Sequence, residues 1–569
     1  MSEIFRATAS RDGLTVTAHR GDGSVLLAFD LAEDLTEHLA GFAIVAHDPG
    51  ARNPRPLLNR LSFDTPVTAA TPIATRRFTS TVDAPVQKFR WIDFPKPVVA
   101  GRYRYTVTAR RFDPDAQGIA LVDGPSVDVE LDVVSPAPAG FELAFTSGFL
   151  GSQAYATRFK NRPIRPKGTA RQGLDADVRG FENRWSWLGG HARAVIYRIL
   201  AEVRDDPALR LDVLAYDLDE PRIVAGLVAL GPRVRLVLDD SAAHTGPTDA
   251  EPEAHRRIEA AGGQVKRCHL ARFQHHKVLI VRRGDEIVKV LAGSANFSIR
   301  GLYAQANNVV VFANAQPCAL YGEAFDLLWQ GDGRAPGFRS SELASKGWLL
   351  DEQRLPGSTV SFAPHASEHL SLDDVAGAID GADDSVLFAV MDLDGGGEVL
   401  ARLRGAAGHD QFFSYGVADS AGGISLYKPG SSRGVLVPSA VLRAQIPAPF
   451  QPFLAETTGG VGHTIHHKFV VVDFNTSDPV VFAGSSNLVA SGERNNGDSL
   501  FAIRDRAIAT AYAIEAVRLV DHYHFRASVK AATTIRPLVL QGRAHQRPWW
   551  RPYYRAGDLK AVDRRLFVR

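Results

Sequence analysis

The sequence predicts an α/β protein built as two similar halves, preceded by an all-β region. Three observations carry this. A His-x-Lys element followed by Gly-Ser-x-Asn occurs twice, each time around a continuous apolar run. The flanking segments repeat at the same spacing. The first 134 residues instead alternate polar and apolar, the period of half-exposed antiparallel strands.

In the N-terminal region, Arg102 to Val107 and Val127 to Val133 alternate strictly, and Leu14 to Ala18, Val25 to Phe29 and Phe42 to Ala46 are further strand candidates. Turn signals separate them. Residues 1–134 are therefore expected to form an Ig-like or fibronectin-like β-sandwich without the disulfide. The region shows no catalytic cluster and is expected to bind a protein partner or to brace the two α/β halves. Ser135 to Gly140, with Pro136 and Pro138, reads as the linker.

The first half is placed at 141–345 and the second at 346–530. The first motif reads His275-His276-Lys277, Val278 to Val281, then Gly293-Ser294-Ala295-Asn296. The second reads His466-His467-Lys468, Phe469 to Val472, then Gly484-Ser485-Ser486-Asn487. The copies are offset by 466 − 275 = 191 residues. In a strand, residues i and i+2 share a face, so each His and its Lys should point together while His276 and His467 point away. The β-branched runs suit central strands buried on both faces. Glycine is expected to let the backbone approach a ligand closely, with Ser and Asn adding small hydrogen-bonding groups. Asn314 and Asp505, again 191 apart, are N-cap candidates, and Tyr321 and Tyr512 keep the offset inside the helices they open. Upstream, Leu214 to Asp219 resembles Ala389 to Asp394. Each half thus reads strand, helix, strand, strand, helix, a duplicated α/β unit.

Residues 531–569 form a C-terminal tail mixing Trp549, Trp550, Tyr553 and Tyr554 with Arg547, Arg551 and Arg555. It could stack bases, sit at a lipid interface or pack over the protein. A basic stretch, Arg158, Lys160, Arg162, Arg165, Lys167 and Arg171, could dock phosphates.

The paired motifs resemble the phospholipase D superfamily, whose signature is His-x-Lys-x4-Asp followed by Gly-Ser-x-Asn. His466, Lys468, Asp473, Gly484, Ser485 and Asn487 match in full. The first copy departs at one position, Arg282 standing where Asp is expected. The resemblance covers roughly 141–530. It implies mixed-sheet α-β-α sandwich halves related by a pseudo-twofold, with one active site between them.

A neutral imidazole can attack phosphorus, a protonated one can supply the leaving alkoxide with its proton, and lysines and amides can hold the non-bridging oxygens. Such a site needs no metal or other cofactor. The resemblance implies the same mechanism, through a phosphohistidine. Catalytic residues are expected to be His275, Lys277, Asn296, His466, Lys468 and Asn487. Ser294, Ser485 and Asp473 are assigned to substrate binding, although the resemblance implies that Asp473 braces the site rather than does chemistry. Eleven residues after each motif Asn the family often carries a group that orients a His, here Asn307 and Asp498. In some relatives this pairing crosses, which would set Asp498 on His275 and Asn307 on His466. A carboxylate partner raises imidazole basicity, so His275 is assigned as nucleophile and His466 as general acid.

A metal site built from the four histidines with Asp217, Asp219, Asp392 or Asp394 is the weaker reading, because the lysines at i+2 would repel a cation. The two Asp pairs are expected to cap helices or line the cleft. The expected activity is phospholipase D-type hydrolysis or transfer on phospholipid diesters. The alternatives are a nuclease using the same site, a lipid synthase, and a non-catalytic nucleic-acid or membrane-binding module. Composition agrees with a folded protein of two or three domains: 569 residues, 45% hydrophobic and 22% charged. A net charge of +2 gives no global polyanion signature, and two cysteines give no disulfide framework. The start carries no apolar signal core and no run suits a membrane span, so a cytoplasmic location is expected. A monomer would suffice, since the duplication supplies both half-sites.

Overall fold

The computed structural model describes residues 5–72, 75–95, 98–133, 139–148, 153–160, 162–391, 397–408, 413–420, 423–427, 435–438, 464–543 and 545–569. The linker read at 135–140 falls largely outside these residues, as do Asp392 and Asp394.

The N-terminal region is all-β, with two four-stranded antiparallel sheets. One contains Arg6–Arg11, Leu14–Arg20, Val25–Leu31 and Arg90–Asp93. The other orders Leu121–Asp132, Arg102–Phe112, Leu39–His47 and Arg55–Pro56. Alternation in the sequence becomes alternation in burial: Tyr103, Tyr105, Val107 and Ala109 are buried while Arg102 and Arg104 face out.

Each half is built on a mixed sheet. In the first, the order is Phe141–Phe145, Asn308–Phe312, Glu286–Gly293, Val278–Arg283, Leu209–Ala215, Val234–Leu238 and Gln264–Arg267. In the second, Leu355–Ala363, Asn496–Ile503, Val480–Gly484, Lys468–Val472, Ser385–Val390 and Phe413–Ser420 repeat the first six places of that order. The directions repeat too. The first four junctions are antiparallel and the fifth is parallel, Leu209–Ala215 with Val234–Leu238 and Ser385–Val390 with Phe413–Ser420. The edges diverge after that, where Gln264–Arg267 is parallel and Gly423–Tyr427 antiparallel. The strands after each His-x-Lys are buried on both faces because helices cover both sides of each sheet.

The two sheets share one apolar core. Phe312 packs on Phe501 with ring centroids 5.4 Å apart, and Tyr321 packs edge-on against Phe362 at 5.0 Å. Each such buried ring contributes roughly 1.5–3 kcal/mol. Truncating Phe501 to Ala would therefore loosen the halves at a cost of about 3–5 kcal/mol. The N-cap candidates behave differently from one another. The Asp505 carboxylate accepts from Ile508 N at 2.8 Å, whereas Asn314 makes no cap bond and donates instead to Asp351 at 2.5 Å.

The C-terminal segment joins the all-β region to the second half. Trp549 donates to the Leu39 carbonyl at 3.1 Å and packs against Phe42 and Phe89. Arg90 bridges Asp521 at 2.7 Å and Asp563 at 2.8 Å. Of the readings of the aromatic tail, packing describes Trp549 and Tyr553, both of which are buried.

Candidate active site

The two motifs meet across the interface between the halves. His275 N donates to the Gly497 carbonyl at 2.9 Å, and His466 N donates to the Ala306 carbonyl at 3.0 Å. These bonds are related by the same 191-residue offset, since 497 − 306 = 191. Each histidine thereby sits beside the next residue along in the opposite half. His275 Nδ1 lies 2.7 Å from Asp498 Oδ1, and His466 Nδ1 lies 2.8 Å from Asn307 Oδ1. Orientation by the +11 residue crosses between the halves in both directions.

The amide of Asn307 is fixed by its neighbours. Its Nδ2 donates to the Gly301 carbonyl at 2.8 Å, so its Oδ1 is the acceptor facing His466, and Ser294 Oγ donates to that same oxygen at 2.9 Å. His466 Nδ1 therefore carries the proton. The same holds for His275, whose partner is an acceptor-only carboxylate. Asp498 is held below the usual carboxylate range: burial opposes its charge, but His275, Lys277 and His276 outweigh it. His275 is itself pushed down, first by burial and then by Lys277, with Asp498 opposing. The pair is thus an ionised Asp498 and a neutral His275, with the Nε2 lone pair free. Tyr216 packs edge-on against the His275 ring at 4.9 Å.

The lysines are buried. Lys277 Nζ donates to the His275 carbonyl and lies 4.8 Å from the Tyr216 ring centroid. Lys468 Nζ donates to the His466 carbonyl at 2.8 Å. Desolvation pushes Lys277 down to about 7, with Asp498 and Asp217 opposing, and pushes Lys468 well down with Lys277 adding to it. An arriving phosphate anion would restore their charge. Asn296 Nδ2 donates to Asp217 at 2.6 Å, and the Oδ1 atoms of Asn296 and Asn487 make no hydrogen bond among the described residues.

His275, His466, Asn296 and Asn487 line one cleft of about 720 Å³. The strand argument holds in part: the regular strands begin at Val278 and Lys468, so both histidines lie in the segments that lead into them. The middle histidines do face away. His467 accepts from Asn308 Nδ2 at 3.2 Å and donates to Glu515 at 2.9 Å, while both ring nitrogens of buried His276 lack a partner among the described residues.

Three assignments to substrate binding are corrected. Ser294 and Ser485 are buried and turned to the next strand, where Asn308 N donates to Ser294 Oγ at 3.1 Å and Ser499 N to Ser485 Oγ at 3.0 Å. Asp473 stands at the far end of its strand and accepts from the backbone of Asp383, Asp384 and Ser385 at 2.8–3.0 Å. These bonds tie the end of its strand to the start of Ser385–Val390. In the first half Arg282 does this in reverse charge, donating to Asp212 at 2.5 Å. The motif glycines are also reassigned. A Cβ on Gly293 (φ +153°) would lie 2.4 Å from the Asn308 carbonyl oxygen, and one on Gly484 (φ +149°) 2.2 Å from that of Ser499. They admit the next strand rather than a ligand.

The cleft contains groups that the motifs do not announce. His244 lies between Asp239 at 2.8 Å and Asp217 at 2.9 Å. Burial opposes its charge, but those two hydrogen bonds carry it up to about 10. Arg165, Arg272 and Arg300 also line the cleft, Arg165 being the one member of the basic stretch to do so. Among the described residues, the His/Asp/Glu grouping with metal-like spacing is His369, Asp373 and Glu398, which is exposed and outside the cleft. Asp217 and Asp219 line the cleft, Asp219 also accepting from Ile299 N at 2.7 Å.

Part of the first half is similar to known proteins. The family described as cardiolipin synthase, PLD-like domain, matches residues 209–329. The mitochondrial cardiolipin hydrolase of Chlamydomonas reinhardtii is 29% identical over 122 residues, 21% of this chain, and the match spans about half (51%) of that relative. Among solved structures, phosphatidylserine synthase from Haemophilus influenzae has a TM-score of 0.38 at 11% identity, over 58% of this chain and 84% of that one. The phospholipase D family member Nuc from Salmonella typhimurium has a TM-score of 0.21 at 26% identity, over 24% and 86%. The matched family segment contains the first His-x-Lys and Gly-Ser-x-Asn pair, and the second pair meets it across one cleft through a repeated strand order. The match to a PLD-like domain over residues 209–329 supports the resemblance to the phospholipase D superfamily.

Proposed function

We propose that the protein is a metal-independent phosphodiesterase that works through a phosphohistidine and acts, by preference, on phospholipid diesters. One observation carries the reading: two histidines line one cleft, each with its Nδ1 held by the opposite half. The donor set favours protons over a metal, because two lysines stand directly behind the imidazoles.

In the proposed cycle the His275 Nε2 lone pair attacks phosphorus. The bond to the leaving alkoxide breaks, and that oxygen takes the proton from His466 Nε2. His466 then accepts a proton from water, whose oxygen attacks phosphorus while the P–N bond breaks and neutral His275 returns. Lys277, Lys468, Asn296 and Asn487 hold the non-bridging oxygens as charge builds up. Asp498 keeps Nδ1–H of His275 in place and stabilises the positive charge of the phosphoimidazolium.

Lipid is preferred because the similarity runs to a cardiolipin synthase-type domain and to a cardiolipin hydrolase. A nuclease is the second reading, supported by Arg165, Arg272 and Arg300 on the cleft wall. Among the described residues no helix is long and apolar enough to cross a membrane, so a lipid substrate would be met at a surface; a cytoplasmic site of action stays part of the proposal. The N-terminal region is read as an Ig-like sandwich that braces the second half, with a partner-binding role as the alternative.

The test offers cardiolipin or phosphatidylglycerol vesicles and single-stranded DNA to the purified protein in excess EDTA, with His275→Ala as control. Headgroup release lost in the variant supports the lipid reading, and DNA cleavage lost in the variant supports the nuclease. Absence of turnover on both, or turnover that survives in His275→Ala, refutes the proposed site.

A further inference from the structure

A second cavity, of about 980 Å³, lies between the N-terminal all-β region, the helix Arg506–Ala531 and the C-terminal segment. It shares no lining residue with the catalytic cleft. Its size is at the upper end for small-molecule sites. One wall is apolar, formed by Trp91, Ile92, Phe94, Phe525, Val539 and Leu540. The rest is cationic: five arginines and two lysines line it against one carboxylate, Asp521.

That carboxylate is already engaged. It accepts from Arg90 at 2.7 Å and from the Tyr415 hydroxyl at 2.8 Å, with Lys88 at 3.6 Å. Arg518 is likewise held by Glu515. Arg60, Arg547, Arg551 and Arg555 have no carboxylate within ion-pair distance among the described residues. Arg60 lies 5.0 Å from the Phe525 ring centroid, and its burial lowers its hold on the proton despite Asp521. Several uncompensated cations converging on a partly desolvated, apolar-walled cavity form a preorganised site for an anion attached to an apolar body.

We infer that this cavity binds a small phosphate-bearing molecule with an apolar or aromatic body, its phosphate among Arg60, Arg551 and Arg555 and its body against Trp91, Phe94 and Phe525. The chemistry fits a lipid phosphate or a nucleotide. It stands independently of the catalytic reading, because no group of the cleft takes part.

The experiment is titration calorimetry on the full chain with four probes: dihexanoyl phosphatidic acid below its micelle concentration, AMP, inorganic phosphate and dihexanoylglycerol. The variants are Arg551→Glu/Arg555→Glu, on exposed positions; Val539→Trp, which fills the cavity; and His466→Ala, which alters the cleft alone. The expected result is saturable one-to-one binding of phosphatidic acid or AMP, weakened at least tenfold by the charge reversal and by Val539→Trp, and unchanged in His466→Ala. Whichever probe binds more tightly identifies the source. Binding of inorganic phosphate as tight as that of the larger probes, or of dihexanoylglycerol, overturns the two-part site. So does binding of neither phosphate probe, or binding that survives both cavity variants.

Discussion

Replacing Asp498 by Asn tests the assignment of His275 as nucleophile. The substitution conserves shape. An amide oxygen can still accept from His275 Nδ1–H across the 2.7 Å contact, while the amide NH2 takes the place of Oδ2, which has no partner among the described residues. What is lost is charge, in a place where both groups are almost fully buried and screening by water is weak. A hydrogen bond to a charged group contributes about 1.5–3 kcal/mol, roughly twice a neutral one. As the phosphoimidazolium forms, most of that difference falls on the transition state. At 1.36 kcal/mol per factor of ten, a loss of about 0.75–1.5 kcal/mol slows kcat/KM roughly four- to thirteen-fold. The assay is single-turnover cleavage of a chromogenic phosphodiester, with acid-quenched peptide mapping to locate the labile phosphate. Phosphate trapped on the peptide containing His275, at a rate reduced as above, is the expected result. A change under threefold, or phosphate on the His466 peptide in the unmodified protein, would refute the reasoning.

Lys277→Met should abolish turnover yet raise stability. The folded protein holds the Lys277 proton only up to about pH 7, whereas the unfolded chain holds it to about 10.5, so burial penalises the native state most below pH 7 and less as pH rises between those values. The gain in Tm measured by calorimetry should accordingly be larger at pH 6.5 than at pH 9.5; a pH-independent gain would mean the lysine is not the cause. Asp473→Ala removes three backbone contacts and should cost about 2–3 kcal/mol in urea unfolding while leaving KM within twofold, since the residue does not touch the cleft. A raised KM without loss of stability would return Asp473 to the substrate. Gly484→Ala should cost at least about 2 kcal/mol, because its Cβ meets the Ser499 carbonyl, and should lower kcat by shifting Asp498 one residue away. Unchanged stability would show that the strand can move aside.

Much of the site was legible because it is periodic. The 191-residue offset carries through motif, helix cap and buried Tyr, so the two half-sites could be matched residue by residue, whereas Asn307 and Asp498 were reached through the family resemblance. Orientation was less legible. Each motif Ser stands two positions before a cleft-lining Asn, but Gly293 and Gly484 turn the chain so that Ser294 and Ser485 face the next strand. The role of Asp473 depends on the Asp383 to Ser385 turn, ninety residues away, which no local pattern announces. His244 escaped for a related reason. It sits in a short turn after Asp239 with no repeated counterpart, and its place beside Asp217 arises only when Leu209–Ala215 and Val234–Leu238 lie side by side. The tail could not be placed because Trp549 finds its partner, Leu39, 510 positions away.

That last distance has a consequence for how the N-terminal region is held. Arg6 and Thr17 donate to the Val568 carbonyl, and His19 Nε2 lies 2.6 Å from the carbonyl of Phe567. The strands Arg6–Arg11 and Leu14–Arg20 are therefore completed by residues 548 to 562 positions away. Until these contacts form, the sheet containing Leu14–Arg20 and Val25–Leu31 lacks part of its cover, and the two ends of the closing contact lie 551 positions apart. The N-terminal region should gain its full resistance to protease only once the contacts with Phe567 and Val568 have formed. Once closed, the same contacts should keep it docked after a single cut between residues 133 and 139. Attachment of the N-terminal region is in this way set by the helix Leu559–Val568 rather than by the linker that joins the pieces in sequence.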